Sequence, residues 1–150
     1  MSKLKVYLSG AMEAYDGTDK AKEWREYCKS FLNNCDGIFT AFSPTDYYQY
    51  GINYHKSNHE IFRYDLYHTK SSDIILVNLN DVRKSIGTCM ELYEAHKSGI
   101  PVVGFIDDDI SGEELIQKIH PWIYCCVDRI ETGSDSLYKA LDYIVEFYGQ

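Results

Sequence analysis

Glu91 sits in the run Ser85-Ile86-Gly87-Thr88-Cys89-Met90-Glu91-Leu92-Tyr93-Glu94-Ala95, which follows the apolar segment Ile74-Ile75-Leu76-Val77. The apolar segment reads as a buried strand, and the run beyond the glycine turn reads as a helix. This places the carboxylate of Glu91 in the first turn of a helix, just past the end of a strand. Open α/β sheets bind their ligands there, and a helix N-terminus favours the ionised carboxylate. An ionised carboxylate in a crevice suits nucleophilic attack at a glycosyl carbon. Asp65 is a second acidic candidate. Its neighbours Phe62, Leu66 and Thr69 turn its helix face inward, so it needs a partner or a role. Tyr7 lies where its hydroxyl could bond Glu91, and Gly10 leaves room for close backbone approach.

The elements that must position these residues alternate along the chain. Leu4–Leu8 reads as a first strand ending at Ser9-Gly10, and Asp19–Asn34 as a helix with Ala21, Trp24, Cys28, Phe31 and Leu32 on its apolar positions. Ile38–Phe42 is a second strand, stopped by Ser43-Pro44. Thr45–Asn58 lacks a period and holds Tyr47, Tyr48, Tyr50, Tyr54 and His55; a loop of that length tends to be functional or mobile. A helix capped by Ser57 or Asn58 runs to Ser71-Ser72, Asp73–Leu79 is the third strand, and Asn80–Ser85 a polar loop. Gly87–Ser98 is a helix closed by Gly99, and Pro101–Ile106 the fourth strand. Ser111 and Glu114 form a capping box for a short helix to His120. Trp122–Val127 reads as the fifth strand, and Ser134 starts a last helix with Leu137, Leu141, Ile144, Val145 and Tyr148 on one face.

Strands alternating with helices predict a three-layer α/β fold, a doubly wound five-stranded parallel sheet of the flavodoxin or Rossmann kind, in one domain over residues 1–150. The order 2-1-3-4-5 puts the switch point between the first and third strands. That topology brings Tyr7, Gly10 and Glu91 together.

Composition narrows the ligand. The net charge of -8 argues against a nucleic-acid polymer, while a small nucleoside or nucleotide is decided by a few local groups. Tyrosine is abundant, with 14 residues; each offers a flat apolar face and a hydroxyl, which suits a flat polar ligand. No apolar run reaches membrane-spanning length, and Met1-Ser2-Lys3-Leu4-Lys5 leads straight into a strand without a signal peptide. The five cysteines contain no C-x-x-C. Reduced, mostly buried thiols, a cytoplasmic location and no metal site are expected. Neither G-x-G-x-x-G nor the P-loop pattern occurs. His55, His59 and His68 are scattered and read as surface residues, and Asp107-Asp108-Asp109 as a solvated turn.

Tyr7-Leu8-Ser9-Gly10-Ala11-Met12, Asp65 ahead of Ser72-Asp73-Ile74-Ile75-Leu76-Val77-Asn78-Leu79, and Gly87 through Ala95 followed by Gly99-Ile100-Pro101-Val102 together resemble the nucleoside 2-deoxyribosyltransferase family. The resemblance implies cleavage of the N-glycosidic bond of a 2'-deoxynucleoside, with Glu91 as the nucleophile that forms a deoxyribosyl-enzyme. Asp65 matches the acid/base aspartate that handles the proton on the base, and Tyr7 the tyrosine that orients the nucleophile. Ser9, Gly10, Ser85 and Gly87 would contact substrate. The resemblance implies no metal or organic cofactor. It also implies a homo-oligomer, a dimer or higher, whose neighbouring subunits complete each site; Gln117–Trp122 is the region that would reach a neighbour. Tyr47–Tyr54 would cover the base by stacking. The chemistry agrees with the residues, since retaining transfer needs a nucleophile and a proton donor across one sugar.

One position departs from the transferase pattern. The transferases carry an aspartate six residues before the nucleophile, where this chain has Ser85. The related deoxynucleoside 5'-monophosphate N-hydrolases carry serine there. A carboxylate repels phosphate, whereas a hydroxyl donates to it, and Arg83, Lys84 or Arg63 could add positive charge. Ala11 stands where those hydrolases have a second serine. Transfer to a free base is the first expectation, hydrolysis of a monophosphate the second. A silent nucleotide-binding module and a generic flavodoxin-like interaction domain come after them.

Overall fold

The computed structural model describes residues 2–49, 52–53 and 56–150. Its strands are β1 (Leu4–Gly10), β2 (Phe39–Phe42), β3 (Tyr48–Gln49), β4 (Ile52–Asn53), β5 (Ile74–Asn78), β6 (Val102–Ile106) and β7 (Arg129–Thr132). The helices are α1 (Lys20–Asn33), α2 (Asn58–Lys70), α3 (Ile86–Lys97), α4 (Gly112–Ile119), α5 (Pro121–Cys125) and α6 (Ser136–Tyr148). The main sheet has the order β2-β1-β5-β6-β7, all parallel. Along the chain this is the 2-1-3-4-5 arrangement that the alternation of elements predicts. The β3–β4 pair is a separate antiparallel ribbon within the segment expected to be an irregular loop.

Side-chain alternation on β1 builds the layers. Val6 and Leu8 pack with Trp24, Cys28 and Leu32 of α1 and with Ala140, Leu141 and Ile144 of α6. Tyr7 points to the opposite face, where Ile75 and Val77 meet Leu92 and Ala95 of α3 and Leu115 of α4. Both faces of β5 are covered, which is why its sequence is a continuous apolar run rather than an alternating one.

Several local expectations are corrected. Ser9 and Gly10 belong to β1 and pair with Val77 and Asn78 instead of turning away. Trp122–Val127 is not the fifth strand. Pro121 occupies the first turn of α5, where its fixed φ and missing N–H are tolerated. The His120 ring accepts from the Trp122 amide at 3.0 Å, and Trp122 is left 80% exposed. The edge strand is β7, whose polar residues and partial burial hide it from a hydrophobic pattern. Ser111 makes no side-chain cap bond. The reciprocal capping box lies instead on α2, where Ser57 Oγ accepts from the Glu60 amide at 3.3 Å and Glu60 Oε2 from the Ser57 amide at 3.1 Å. Of the cysteines only Cys28 is fully buried; Cys35, Cys89 and Cys126 are half-buried and Cys125 is exposed. Among the described residues no helix is long and apolar enough to cross a membrane.

Candidate active site

The site forms where β1 and β5 run side by side and α3 leaves the end of β5. Tyr7 and Ser9 are two residues apart on β1, so their side chains leave the same face of the sheet. Both converge on Glu91. The Tyr7 hydroxyl donates to Glu91 Oε2, and Ser9 Oγ donates to Oε1 at 2.7 Å. Tyr7 is held by stacking on Phe42, with ring centroids 5.4 Å apart.

Glu91 is the sixth residue of α3 and lies in its second turn, not its first, because Ser85 is the N-cap. The helix dipole acts mainly on the first turn, so it is not what governs this carboxyl. Burial does, pushing the Glu91 pKa up to about 7. The bonds from Tyr7 and Ser9 pull it back down, the charge of Asp65 pushes it up, and Arg25 opposes that push. Near neutral pH the group is therefore divided between the acid and the anion, a correction to the expectation of a freely ionised side chain. The Tyr7 phenol is held well above its usual range by burial and then by Glu91, and stays protonated as a donor.

Glu91 forms part of the wall of a cavity of about 740 Å³. Asp65, projecting from α2, lines the same cavity, as do Gly10, Ser85 and Gly87. Apolar surface comes from Met12, Ile61, Phe62, Ile86 and Met90. Tyr7 and Ser9 stand behind Glu91 and reach the cavity through it. A carboxyl of intermediate acidity, fixed by two donors and facing a second carboxyl across a pocket, can attack an electrophilic carbon while the other group moves a proton.

The remaining candidates are placed unevenly. Ser85 caps α3, its Oγ accepting from the Thr88 amide at 3.4 Å and lying 2.7 Å from Thr88 Oγ1. Lys84 reaches the cavity wall and pairs with Asp81 at 3.5 Å. Arg83 points elsewhere, donating to the carbonyls of Gln117 and Lys118 at 2.6 and 3.1 Å, and Arg63 is exposed away from the lining. Tyr47 stacks on Phe42 at 5.2 Å instead of lining the pocket; of the other aromatics expected to cover a base, Tyr48 belongs to β3, and Tyr50 and Tyr54 lie outside the described residues, as does His55. His68 is not a plain surface histidine: its ring stacks on Phe42 at 3.9 Å, and Lys5 Nζ lies 2.6 Å from its Nδ1. Arg25 escaped the sequence reading altogether. It is fully buried on α1 and shares the apolar stripe of Ala21, Cys28 and Leu32; a charged residue in that register was the available signal.

The sequence profile of nucleoside 2-deoxyribosyltransferase matches residues 6–131, a span that contains Tyr7, Ser9, Asp65, Glu91 and the whole of β5. The chain belongs to the nucleoside 2-deoxyribosyltransferase family. No curated protein sequence matches it. Among solved structures, it is similar to a conserved protein from Enterococcus faecalis V583, with a TM-score of 0.73 at 16% identity, covering 95% of this chain and 99% of the other. It is similar to a 2-desoxiribosyltransferase from Leishmania mexicana, with a TM-score of 0.70 at 17% identity over 97% of this chain and 99% of that one. A 2-deoxyribosyltransferase from Bacillus psychrosaccharolyticus superposes with a TM-score of 0.54 at 24% identity over 75% of this chain and 79% of its own. At these identities the likenesses establish the fold. The family match, and not these likenesses, marks the chain as a nucleoside deoxyribosyltransferase-like enzyme.

Proposed function

We propose that the protein cleaves the N-glycosidic bond of 2'-deoxynucleosides and transfers the sugar to an acceptor base. The observation that carries this reading is the Glu91 carboxyl, fixed by Tyr7 and Ser9 at the wall of a cavity that Asp65 also lines. Glu91 attacks C1' of the bound deoxyribose. The bond from C1' to the base nitrogen breaks, its electron pair leaves with the base, and Asp65 supplies the proton. An ester links C1' to Glu91, with the configuration inverted. A nitrogen of the incoming base then attacks C1', Glu91 departs as a carboxylate, and Asp65 takes up the proton released by the new base. Two inversions give net retention. The missing 2'-hydroxyl makes the oxocarbenium-like state easier to reach. A cytoplasmic homo-oligomer whose neighbouring subunits complete each pocket goes with this reading.

Ser85 favours a second reading, in which the substrate is a deoxynucleoside 5'-monophosphate and water is the acceptor. Ser85 lines the cavity at the N-terminus of α3, where backbone N–H groups and the dipole favour an anion. Chromatography of deoxynucleosides and of their 5'-monophosphates, each with and without a second base, separates the two. Formation of a new nucleoside supports transfer. Base release from monophosphates alone, indifferent to the acceptor, supports hydrolysis and overturns transfer.

A further inference from the structure

The β1 strand outruns its partner β2. Pairing with β2 ends at Tyr7↔Phe42, whereas pairing with β5 continues to Gly10↔Asn78. The backbone groups of the even-numbered residues of β1 face β2, as the bond from the Leu4 amide to the Ile38 carbonyl shows; the Lys5 carbonyl faces the β5 side and accepts from Asp73. The carbonyls of Leu8 and Gly10 therefore point toward a ladder that has already stopped. Buried carbonyls without a donor are costly. Arg25 reaches over from α1 and supplies both donors, Nε to Leu8 O at 3.2 Å and Nη2 to Gly10 O at 3.0 Å. Its third bond, Nη1 to Ala21 O at 2.7 Å, ties the guanidinium back to its own helix.

We propose that Arg25 is a positioning residue that stands in for the missing β2 ladder and holds the end of β1 so that Ser9 meets Glu91. Ser9 lies between the two clamped carbonyls, and its Oγ is the donor to Glu91 Oε1. The planar fork matters because two acceptors on alternate residues of one strand must be met at once. The seat is shaped for it: the guanidinium lies 4.6 Å from the Trp24 ring centroid. A Cβ on residue 10 would stand 3.0 Å from Trp24 Cζ2 and 3.6 Å from Arg25 Nη2. A buried cation is expensive where an apolar residue would fill the space. Burial lowers the Arg25 pKa only to about 10, so it stays charged. The groups whose charges and bonds act on Glu91 are Tyr7 and Ser9 from β1, Asp65 from α2 and Arg25 itself.

The proposal rests on Glu91 being the reacting group, and the test keeps the two ideas apart. Arg25→Lys and Arg25→Met are compared with the unmodified protein by thermal melting, by kcat and KM for base release, and by the titration of the Glu91 side-chain carbon in 13C-glutamate-labelled protein, assigned through Glu91→Gln. Loosening Ser9 removes a bond to the carboxylate, so the Glu91 midpoint rises by about half a unit or more in both variants. The accompanying misplacement lowers kcat about 10- to 100-fold, with KM changed much less. The methionine variant also loses the cation that lowers the Glu91 pKa, so the charge-conserving lysine variant discriminates: a merely structural arginine would lower its melting temperature and leave its Glu91 midpoint where it was, and that result overturns the proposal. Lysine conserves charge without the fork, so it decides the matter alone if the methionine variant does not fold: a wild-type midpoint and kcat in Arg25→Lys also overturn it. If the midpoint moves in Arg25→Lys while the unmodified protein releases no base at all, the positioning role stands and the proposed reaction fails.

Discussion

The Tyr7 phenol donates to Glu91 Oε2 from a residue 84 positions earlier in the chain, and that bond joins the first strand of the sheet to the helix that leaves the third element of the ladder. Ser9 provides the second donor, to the other oxygen. Each oxygen of the carboxyl thus has its own donor, and both donors come from one face of β1. A group tethered at two points on a central strand keeps its orientation relative to the cavity, which is what attack at a single carbon requires.

Tyr7→Phe and Ser9→Ala each remove one donor to the carboxylate. Donors favour the charged form, so their loss raises the Glu91 pKa. The acid limb of kcat/KM for base release is expected to move to higher pH in both variants, and kcat to fall about 10- to 100-fold at neutral pH. A pH–rate profile of each variant checks this; an unmoved limb contradicts it.

The pH dependences of activity and stability run in opposite directions. The Glu91 carboxyl has its folded-state pKa raised from 4.5 to about 7. Its contribution to stability is therefore fully present below the unfolded value and is lost as pH rises through about 7, an effect of the order of 3 kcal/mol. Attack needs the anion, so kcat/KM rises over the same interval. Denaturant melts from pH 4.5 to 8, compared between the parent protein and Glu91→Gln, isolate this contribution; the parent should lose stability relative to the variant as the pH increases.

Asp65→Asn keeps the size of the side chain and removes its proton. The loss should depend on the base that departs. For a natural base that needs protonation the rate falls about 100- to 10,000-fold, and for an activated leaving group it falls far less. Rates measured across a series of leaving groups check this, and an equal loss throughout contradicts the acid role.

Ser85→Asp tests the mouth of the pocket. Aspartate is as good an N-cap as serine, so α3 should be retained and stability changed little. A carboxylate there repels a phosphate, so the ratio of monophosphate to nucleoside turnover should fall at least tenfold, about 1.4 kcal/mol of discrimination. An unchanged ratio removes Ser85 from the account of specificity.

Where side-chain pattern and burial coincide, the sequence was readable. The unbroken apolar run of β5 and the Gly87-to-Gly99 interval marked the elements that frame the site, and their alternation was enough for the sheet order. Glu91 and Tyr7 could be brought together from topology alone. What stayed hidden depends on contacts distant in sequence. The run Trp122–Val127 has the composition of a strand, but Pro121 and the His120 cap make it a turn of helix, while β7 pairs as a polar edge. Arg25 carries a charge on an apolar stripe, and its purpose becomes visible only once β2 is seen to stop at Phe42. The acidity of Glu91 is not legible in the sequence for a related reason. Helix position is local, whereas the burial that controls this carboxyl comes from elements on every side.

The most direct test of the account is base release from 2'-deoxynucleosides and their monophosphates by Glu91→Ala at pH 8, followed by chromatography alongside ligand affinity. The account predicts that release falls to the uncatalysed level while the ligand still binds. Turnover at the parent rate in that variant would contradict it.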